Sequence, residues 1–166
     1  LTTLEHHGFA QFAPEDALWH VGREAFATGA AFARRRNFVA PALPFLRRLR
    51  DDTRETANLG ILDHDQLVTI SQVESREIMR AISPPGGQVP VFRIRTRGFA
   101  IDDEEHVTGL RCVAAVVWSP QGEAACAISV SGLAARLGSE RIDMIGAQVR
   151  RAADDLTARL GGYAPG

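Results

Sequence analysis

The residue types best suited to chemistry stand together in one stretch, GFAIDDEEHVTGLRC, which covers 98–112. It holds four consecutive carboxylates from Asp102 onward, then His106, and it ends at Cys112. Carboxylate oxygens bind hard cations, and an added histidine would extend the choice to transition metals. Consecutive side chains point in different directions, however, so only two or three of them could converge on one ion. We therefore expect no metal site but a solvated loop rim, with Asp102 alone turned inward.

The cysteine at the end of this stretch allows a second kind of chemistry. A nucleophilic Cys112 would need a neighbouring base or cation that lowers its pKa, and nothing in the sequence places His106 beside it. Free cysteines are among the most buried residues, so we expect Cys112 to line a core or a pocket and Cys126 to lie in the core. The G-x-S-x-G nucleophile elbow of serine hydrolases is missing. A thiol enzyme that uses Cys112 is kept as the alternative hypothesis.

The bulk properties are those of an ordinary globular protein. The chain has 166 residues, of which 45% are hydrophobic and 23% are charged, and this size fits one domain with at most a small appendage. A net charge of −1 gives no broad positive field, so charge alone does not indicate a nucleic-acid partner. Two cysteines exclude a disulfide scaffold. No membrane span or secretory signal is visible, and we expect a cytoplasmic protein.

The first part of the chain has the pattern of the end of a winged helix-turn-helix. A short helix stops near Gly8, and the runs GFAQF and ALWHV flank the turn formers of APED, which predicts a hairpin. We expect residues 1–22 to be the C-terminal part of a DNA-binding domain that begins before Leu1. The run REAFATGAAFARRR predicts a linker helix, assigned to 23–40. We expect Arg34 to Arg36 to form a solvated face rather than a phosphate contact.

The remaining residues, 41–166, are predicted to form an α+β domain, an antiparallel sheet with flanking helices. A helix begins near the prolines of APALPFLRRLRDDTRET, and strands are predicted at ANLGILD, QLVTISQVES, EIMRAIS, GFAID, RCVAAVVW and EAACAISVSG. PPGGQVP has a loop composition, but VFRIRTRGF resembles the last turn of a helix whose beginning is missing. We therefore expect a missing segment between Pro90 and Val91. A final amphipathic helix, SERIDMIGAQVRRAADDLTARLGG, is predicted with Ser139 as its N-cap.

The hairpin around SPQG predicts a pocket without further assumptions. A four-residue loop from Ser119 to Gly122 would pair Cys112 with Ser129 and Leu110 with Ser131. An odd-length loop would slip the register and place Val130 opposite Cys112. The two serines face the same way in either case. Two serines on the inner face of a core hairpin are unusual unless something there needs hydrogen bonds, and a bound small molecule is one candidate.

Several of these motifs together resemble the effector domain of the IclR family of bacterial transcriptional regulators. The specific part is RGFAIDDEEHVTGLRCVAAVV followed by ACAISVSG; ETANLGIL, the VES after it and the wing GFAQF…ALWHVG occur in the same order. The resemblance implies an N-terminal winged helix-turn-helix, a linker helix and a GAF-like (profilin-like) effector domain. By motif, it implies an effector pocket that includes Asp102, Leu110, Cys112, Ser129 and Ser131.

The resemblance also implies the partners and the mode of action. Such proteins bind a double-stranded DNA operator as homodimers or homotetramers and respond to a small-molecule metabolite effector; no cofactor or metal is implied. The chain departs from the family pattern before Leu1, where most of the recognition helix is absent, and at the suspected gap after Pro90. DNA-contacting residues therefore cannot be assigned. The effector, the operator, and the choice between repressor and activator stay open, and a pure oligomerisation module with a vestigial pocket is a second rival hypothesis.

Overall fold

The computed structural model describes residues 1–34, 38–63, 66–81, 86–90 and 98–165. The chain divides into two compact units, Leu1–Asn37 and Phe38–Gly166. Within the described ranges, no helix is long and apolar enough to cross a membrane.

The first unit contains the predicted helix, hairpin and second helix. Gly22, directly after the hairpin, donates its N–H to the carbonyl oxygen of Phe9 at 2.8 Å, and a Cβ at Gly22 would clash with the carbonyl of Gly8. The rings of Phe12 and Trp19 lie opposite each other across the hairpin, with their centroids 5.3 Å apart. The elements are α1 (Thr2–His6), β1 (Ala10–Ala13), β2 (Leu18–Val21) and α2 (Arg23–Arg34).

Within its described residues, the second unit consists of a six-stranded antiparallel sheet and two long helices, which confirms the predicted α+β class. The strand order is β5-β4-β3-β8-β7-β6, so the last strand in sequence, β8, lies near the centre. The elements are α3 (Val39–Thr53), β3 (Thr56–Asp63), β4 (Gln66–Val73), β5 (Gln88–Pro90), β6 (Ala100–Asp103), β7 (Leu110–Trp118), β8 (Ala124–Leu133) and α4 (Ser139–Arg159).

The hydrophobic core lies between one face of the sheet and the two helices. Ile128 and Val130 of β8 are both fully buried, and Val113 of the neighbouring strand β7 pairs with Val130. Side chains along β-strands alternate between the two faces, so this apolar set defines the helix side of the sheet. The helices contribute Ala42, Leu46 and Leu49 from α3 and Ile142, Ile145, Val149 and Leu156 from α4.

Three sequence predictions about local structure are wrong. Residues 77–81, the described part of the predicted strand EIMRAIS, form no strand: Ile78 is 96% exposed, and the carbonyl oxygen of Met79 accepts a hydrogen bond from the Arg136 side chain. The QVP of the expected loop instead pairs with β4 as the short strand β5. Ser139 lies inside α4, and Gly138 is the N-cap, without a side-chain hydrogen bond. The helical turn expected in VFRIRTR lies outside the described residues.

A buried carboxylate ties the end of the sheet to the loop before α4. The side chain of Glu55 is 1% exposed and forms a bidentate ion pair with Arg136. Nε of Arg136 donates to Oε1 at 2.8 Å, and Nη2 donates to Oε2 at 2.6 Å. Arg141 adds a longer contact of 3.5 Å to Oε1. Gly132 makes room for this pair, because a Cβ there would lie 2.7 Å from Oε2 of Glu55. A buried carboxylate requires such partners, since its desolvation is costly.

We predict that Arg136→Met lowers the free energy of unfolding by about 3 kcal/mol, because it leaves Glu55 buried with only its weaker partner. Arg80→Met is the matched control: its pair with Glu74 is solvent-exposed, and its loss should cost less than about 1 kcal/mol. Urea unfolding followed by circular dichroism measures both variants. Equal losses in the two would contradict a structural role for the buried pair.

A second prediction concerns two glycines inside helices. Gly-to-Ala in a helix normally stabilises by about 1 kcal/mol, and Gly29 of α2 has open space where the methyl group would go. At Gly146 of α4 the same methyl group would overlap the ring of Phe99. Gly29→Ala should therefore stabilise its unit, whereas Gly146→Ala should destabilise the second unit by about 1–2 kcal/mol. Thermal unfolding of the two variants shows whether each substitution raises or lowers the melting temperature. Stabilisation by both substitutions would contradict the prediction and show that Phe99 moves away freely.

Candidate functional site

The register of the β7–β8 hairpin differs from the predicted one by two residues. Cys112 pairs with Ser131 rather than Ser129, and Leu110 pairs with Leu133. The turn inside the first pair, Trp118 and Ala124, has five residues instead of the predicted four, which shifts the pairing by one residue. A bulge between Val117 and Trp118 shifts the pairing by one residue more. Two offsets of one residue sum to two, and a shift of two keeps every side chain on its face. The predicted partners were therefore wrong, but the predicted face was correct.

The sheet face opposite the helices carries two rows of directly opposed residues. Directly opposed residues on neighbouring strands share a face, so each row is a continuous line across the sheet. The first row runs Thr56, Ser131, Cys112, Asp102. The second row runs Gln72, Asn58, Ser129, Ala114, Ala100. Four of the five predicted site residues lie in these rows, and Leu110 lies two residues before Cys112 on the same face.

Hydrogen bonds join the two rows into one polar cluster. Ser131 Oγ donates to Cys112 Sγ at 3.2 Å. Asn58 Nδ2 donates to Ser131 Oγ at 3.1 Å and to Ser129 Oγ at 3.4 Å. Asn58 and Ser129 are each 4% exposed, and Ser131 is 8% exposed. Such a buried polar network under the middle of a sheet is costly unless its groups find partners.

Burial determines the state of the thiol in this cluster. Burial raises the pKa of Cys112 above its ordinary value; the hydrogen bonds with Ser131 and Ser129 lower it by less, and the charge of Asp102 adds to the increase. The thiol therefore stays protonated at neutral pH and can donate a hydrogen bond. A raised pKa is the opposite of what a cysteine nucleophile requires.

Asp102 organises the loop that was predicted from the sequence to be a solvated rim. Its Oδ1 accepts the backbone N–H groups of Glu105, at 2.9 Å, and of His106, at 3.3 Å. The neighbouring carboxylates are also used within the loop: Asp103 pairs with Arg111, and Glu104 accepts the N–H of Gly109 at 2.8 Å. Within the described part of the chain, no three His, Cys, Asp or Glu side chains are grouped to hold a metal ion.

Sequence reasoning missed three polar members of this face, Thr56, Asn58 and Gln72. Thr56 is fully buried and its hydroxyl donates to the carbonyl of Ala81 at 2.8 Å, while it accepts the N–H of Ser75 at 3.2 Å. This pair of bonds fastens the segment after β4 to the sheet. The signal was present in the strand TANLGILD, where polar or small residues alternate with Ala57, Leu59 and Ile61 of the core.

Solved structures of other bacterial proteins share this fold. The crystal structure of the Thermotoga maritima IclR matches with a TM-score of 0.75 and 22% identity, over 96% of this chain and 83% of that one. The crystal structure of Pseudomonas aeruginosa HmgR matches with a TM-score of 0.70 and 17% identity, over 99% and 83%. At these identities the likeness establishes the fold.

The family is established by sequence. Residues 30–93 and 91–158 match the family described as Bacterial transcriptional regulator IclR C-terminal. The Acetate operon repressor of Salmonella typhimurium is 32% identical over 209 positions, covering 98% of this chain and 76% of its own length. HTH-type transcriptional regulator BhcR of Paracoccus denitrificans is 35% identical over 202 positions, covering 95% and 72%. The chain belongs to the IclR family, and it is a ligand-responsive transcriptional regulator.

The raised pKa of Cys112 predicts a pH dependence of stability. In the unfolded chain the thiol ionises at its lower, ordinary pKa, so the unfolded state loses a proton first as the pH rises. The protonated Cys112 thiol therefore makes its full contribution to the free energy of unfolding below about pH 8.5. That contribution is lost as the pH rises through the pKa that the thiol has in the folded protein. Wild type should lose more stability than Cys112→Ala between pH 8 and 10 in urea unfolding. Parallel pH profiles for the two proteins would contradict the raised pKa.

Proposed function

We propose that a small-molecule effector binds the polar face of the sheet, at Asp102, Leu110, Cys112, Ser129 and Ser131. The observation that carries the proposal is that two buried serines of the central strand face away from the apolar core and share one hydrogen-bond network with Cys112. Buried hydroxyls at alternate positions of a core strand contribute little to packing, but they suit a ligand that needs orienting hydrogen bonds.

Each residue has a distinct role in this proposal. The Ser129 hydroxyl accepts a bond from Asn58, and in the bound state its own hydrogen turns from the Cys112 sulfur to an acceptor on the effector. The Cys112 thiol, kept protonated, is a weak donor beside it. The second carboxylate oxygen of Asp102 accepts from the effector, and Leu110 supplies apolar wall. No covalent step is involved, and we propose that the protein is not an enzyme.

The effector acts through linkage to DNA. It binds one conformation of the domain more tightly, which alters how the winged domains of a homodimer or homotetramer meet the half-sites of an operator. In this proposal residues 1–22 are the end of the winged domain, residues 23–40 the linker helix and residues 41–166 the effector domain. The names of the relatives, an operon repressor and a helix-turn-helix regulator, support the DNA partner and with it a cytoplasmic location.

We also propose that a family segment is missing between Pro90 and Val91. Two observations support it. The family matches this chain as two stretches that overlap at residues 91–93, and 98% of its 166 residues are spread over an alignment of 209 positions with the Salmonella typhimurium repressor. The additional positions of the relative therefore have no counterpart here. The proposed effector site consists of residues from β6, β7 and β8, outside this junction.

The rival hypotheses have less support. A thiol enzyme would need an activated Cys112, whereas burial raises its pKa. A pure oligomerisation module would have no reason to bury a polar network opposite its core.

A thermal-shift screen of small metabolites tests the effector site. A ligand present at 100 times its dissociation constant should stabilise wild type by about 2.7 kcal/mol. Ser129→Ala or Asp102→Ala should abolish the shift, because each removes a group that orients the ligand. Ser139→Ala is the control, since this serine is exposed on α4 and should leave the shift unchanged. A shift that survives in both site variants would place the effector elsewhere, and the absence of any hit would favour the oligomerisation module.

A further inference from the structure

Two buried amide atoms on the polar face have no partner within the described residues. They are Oδ1 of Asn58, an acceptor, and Nε2 of Gln72, a donor. The two residues are directly opposed on β3 and β4, so their side chains lie side by side on the same face as Ser129. A buried polar group without a partner costs about 1–3 kcal/mol, so two neighbouring ones of opposite type require an explanation.

Rotating the Asn58 amide does not remove the deficit. Its Nδ2 end faces Ser129 and Ser131, whose hydroxyl oxygens accept from it. Turning the group by 180° would bring Oδ1 to the serines and would leave Nδ2 without a partner instead. One end of this amide therefore lacks a partner in either orientation. Asn58 is 4% exposed, so the missing bond requires either an ordered water or a ligand atom that reaches this face.

We propose that Asn58 and Gln72 determine which effectors the site accepts, by pairing with a donor and an acceptor on neighbouring atoms of one ligand. Asn58 Oδ1 accepts from the ligand, and Gln72 Nε2 donates to it. A hydroxyl next to a carbonyl or carboxyl oxygen presents this pair, as in a 2-hydroxyamide or a 2-hydroxy acid. The inference rests on the proposed effector site and specifies the chemical class of its ligand.

The proposal distinguishes ligand recognition from a structural role. If the two atoms await a ligand, they cost stability in the empty protein, and replacing one by an apolar group should not destabilise it. If instead Gln72 bonds within the empty protein, its replacement should destabilise. Gln72→Met keeps the length of the side chain and removes the donor. Gln121→Met is the matched control, because Gln121 is exposed in the β7–β8 turn.

The experiment uses calorimetric titration and thermal unfolding of the 166-residue chain. The probes are glycolamide, lactamide, glycolate and lactate, with propionamide and propionate as analogues of the glycolyl pair in which a methyl group replaces the hydroxyl. We expect at least one hydroxy compound to bind wild type. Its affinity should fall about tenfold in Gln72→Met, the loss of one hydrogen bond of about 1.4 kcal/mol. The methyl analogue should bind about tenfold more weakly, and Gln121→Met should behave as wild type.

Binding of an amide but not of the matching acid would identify a neutral ligand. Binding of the acid but not of the amide would identify a carboxylate ligand, and both results fit the proposal. Equal binding of the methyl analogue, unchanged affinity in Gln72→Met, or a lower melting temperature of empty Gln72→Met would each overturn it, as would the failure of all four hydroxy compounds. Ser129→Ala distinguishes a failure of the proposed effector site from a failure of the inference about Asn58 and Gln72. If a bound probe is indifferent to Ser129→Ala, the proposed effector site fails; if Ser129→Ala abolishes binding and Gln72→Met does not affect it, only the present inference fails.

Discussion

The structure depends on the alternation of side chains along the central strand β8. Ile128 and Val130 face the helices and are fully buried, whereas Ser129 and Ser131 face the other way and are buried as well. Because the period of a strand is two, one strand thus supplies both the hydrophobic core and the polar face. A slip of one residue would place hydroxyls against α3 and α4 and leave aliphatic groups in the polar cluster. Register is therefore as much a condition of function as of folding.

The two faces of the sheet are held differently, and this suits a sensor. On the helix side, the buried carboxylate of Glu55 is paired with Arg136 and has a longer contact with Arg141. On the polar side, the described residues include two buried amide atoms without a partner, Asn58 Oδ1 and Gln72 Nε2. In the proposed mechanism, a ligand supplies the missing hydrogen bonds and stabilises this side without requiring the fold to rearrange. Differential stabilisation of one state is what linkage between effector and DNA requires.

Periodic features could be predicted from the sequence, and contacts between distant residues could not. The apolar stripe of α4, the β1–β2 hairpin and the α+β class follow from local patterns of three, four or two residues. Asn58 was missed because the serines it binds lie 71 and 73 residues further along the chain, and Glu55 because Arg136 lies 81 residues away. The shared face of Cys112, Ser129 and Ser131 was predicted correctly because an error of two residues in register leaves every side chain on its face.

The bulge beside Trp118 has a consequence for how this turn can evolve. The five-residue turn and the bulge each shift β8 by one residue against β7, and together they restore its facing. A change of one residue in the length of the turn therefore has two possible results. If the turn takes up the change, β8 keeps its register; if the strands slip by one residue instead, serines and aliphatic residues exchange faces. The composition of the turn is constrained as well, because Gly122 has a φ of 74° and Ser119 Oγ accepts the N–H groups of Gln121 and Glu123.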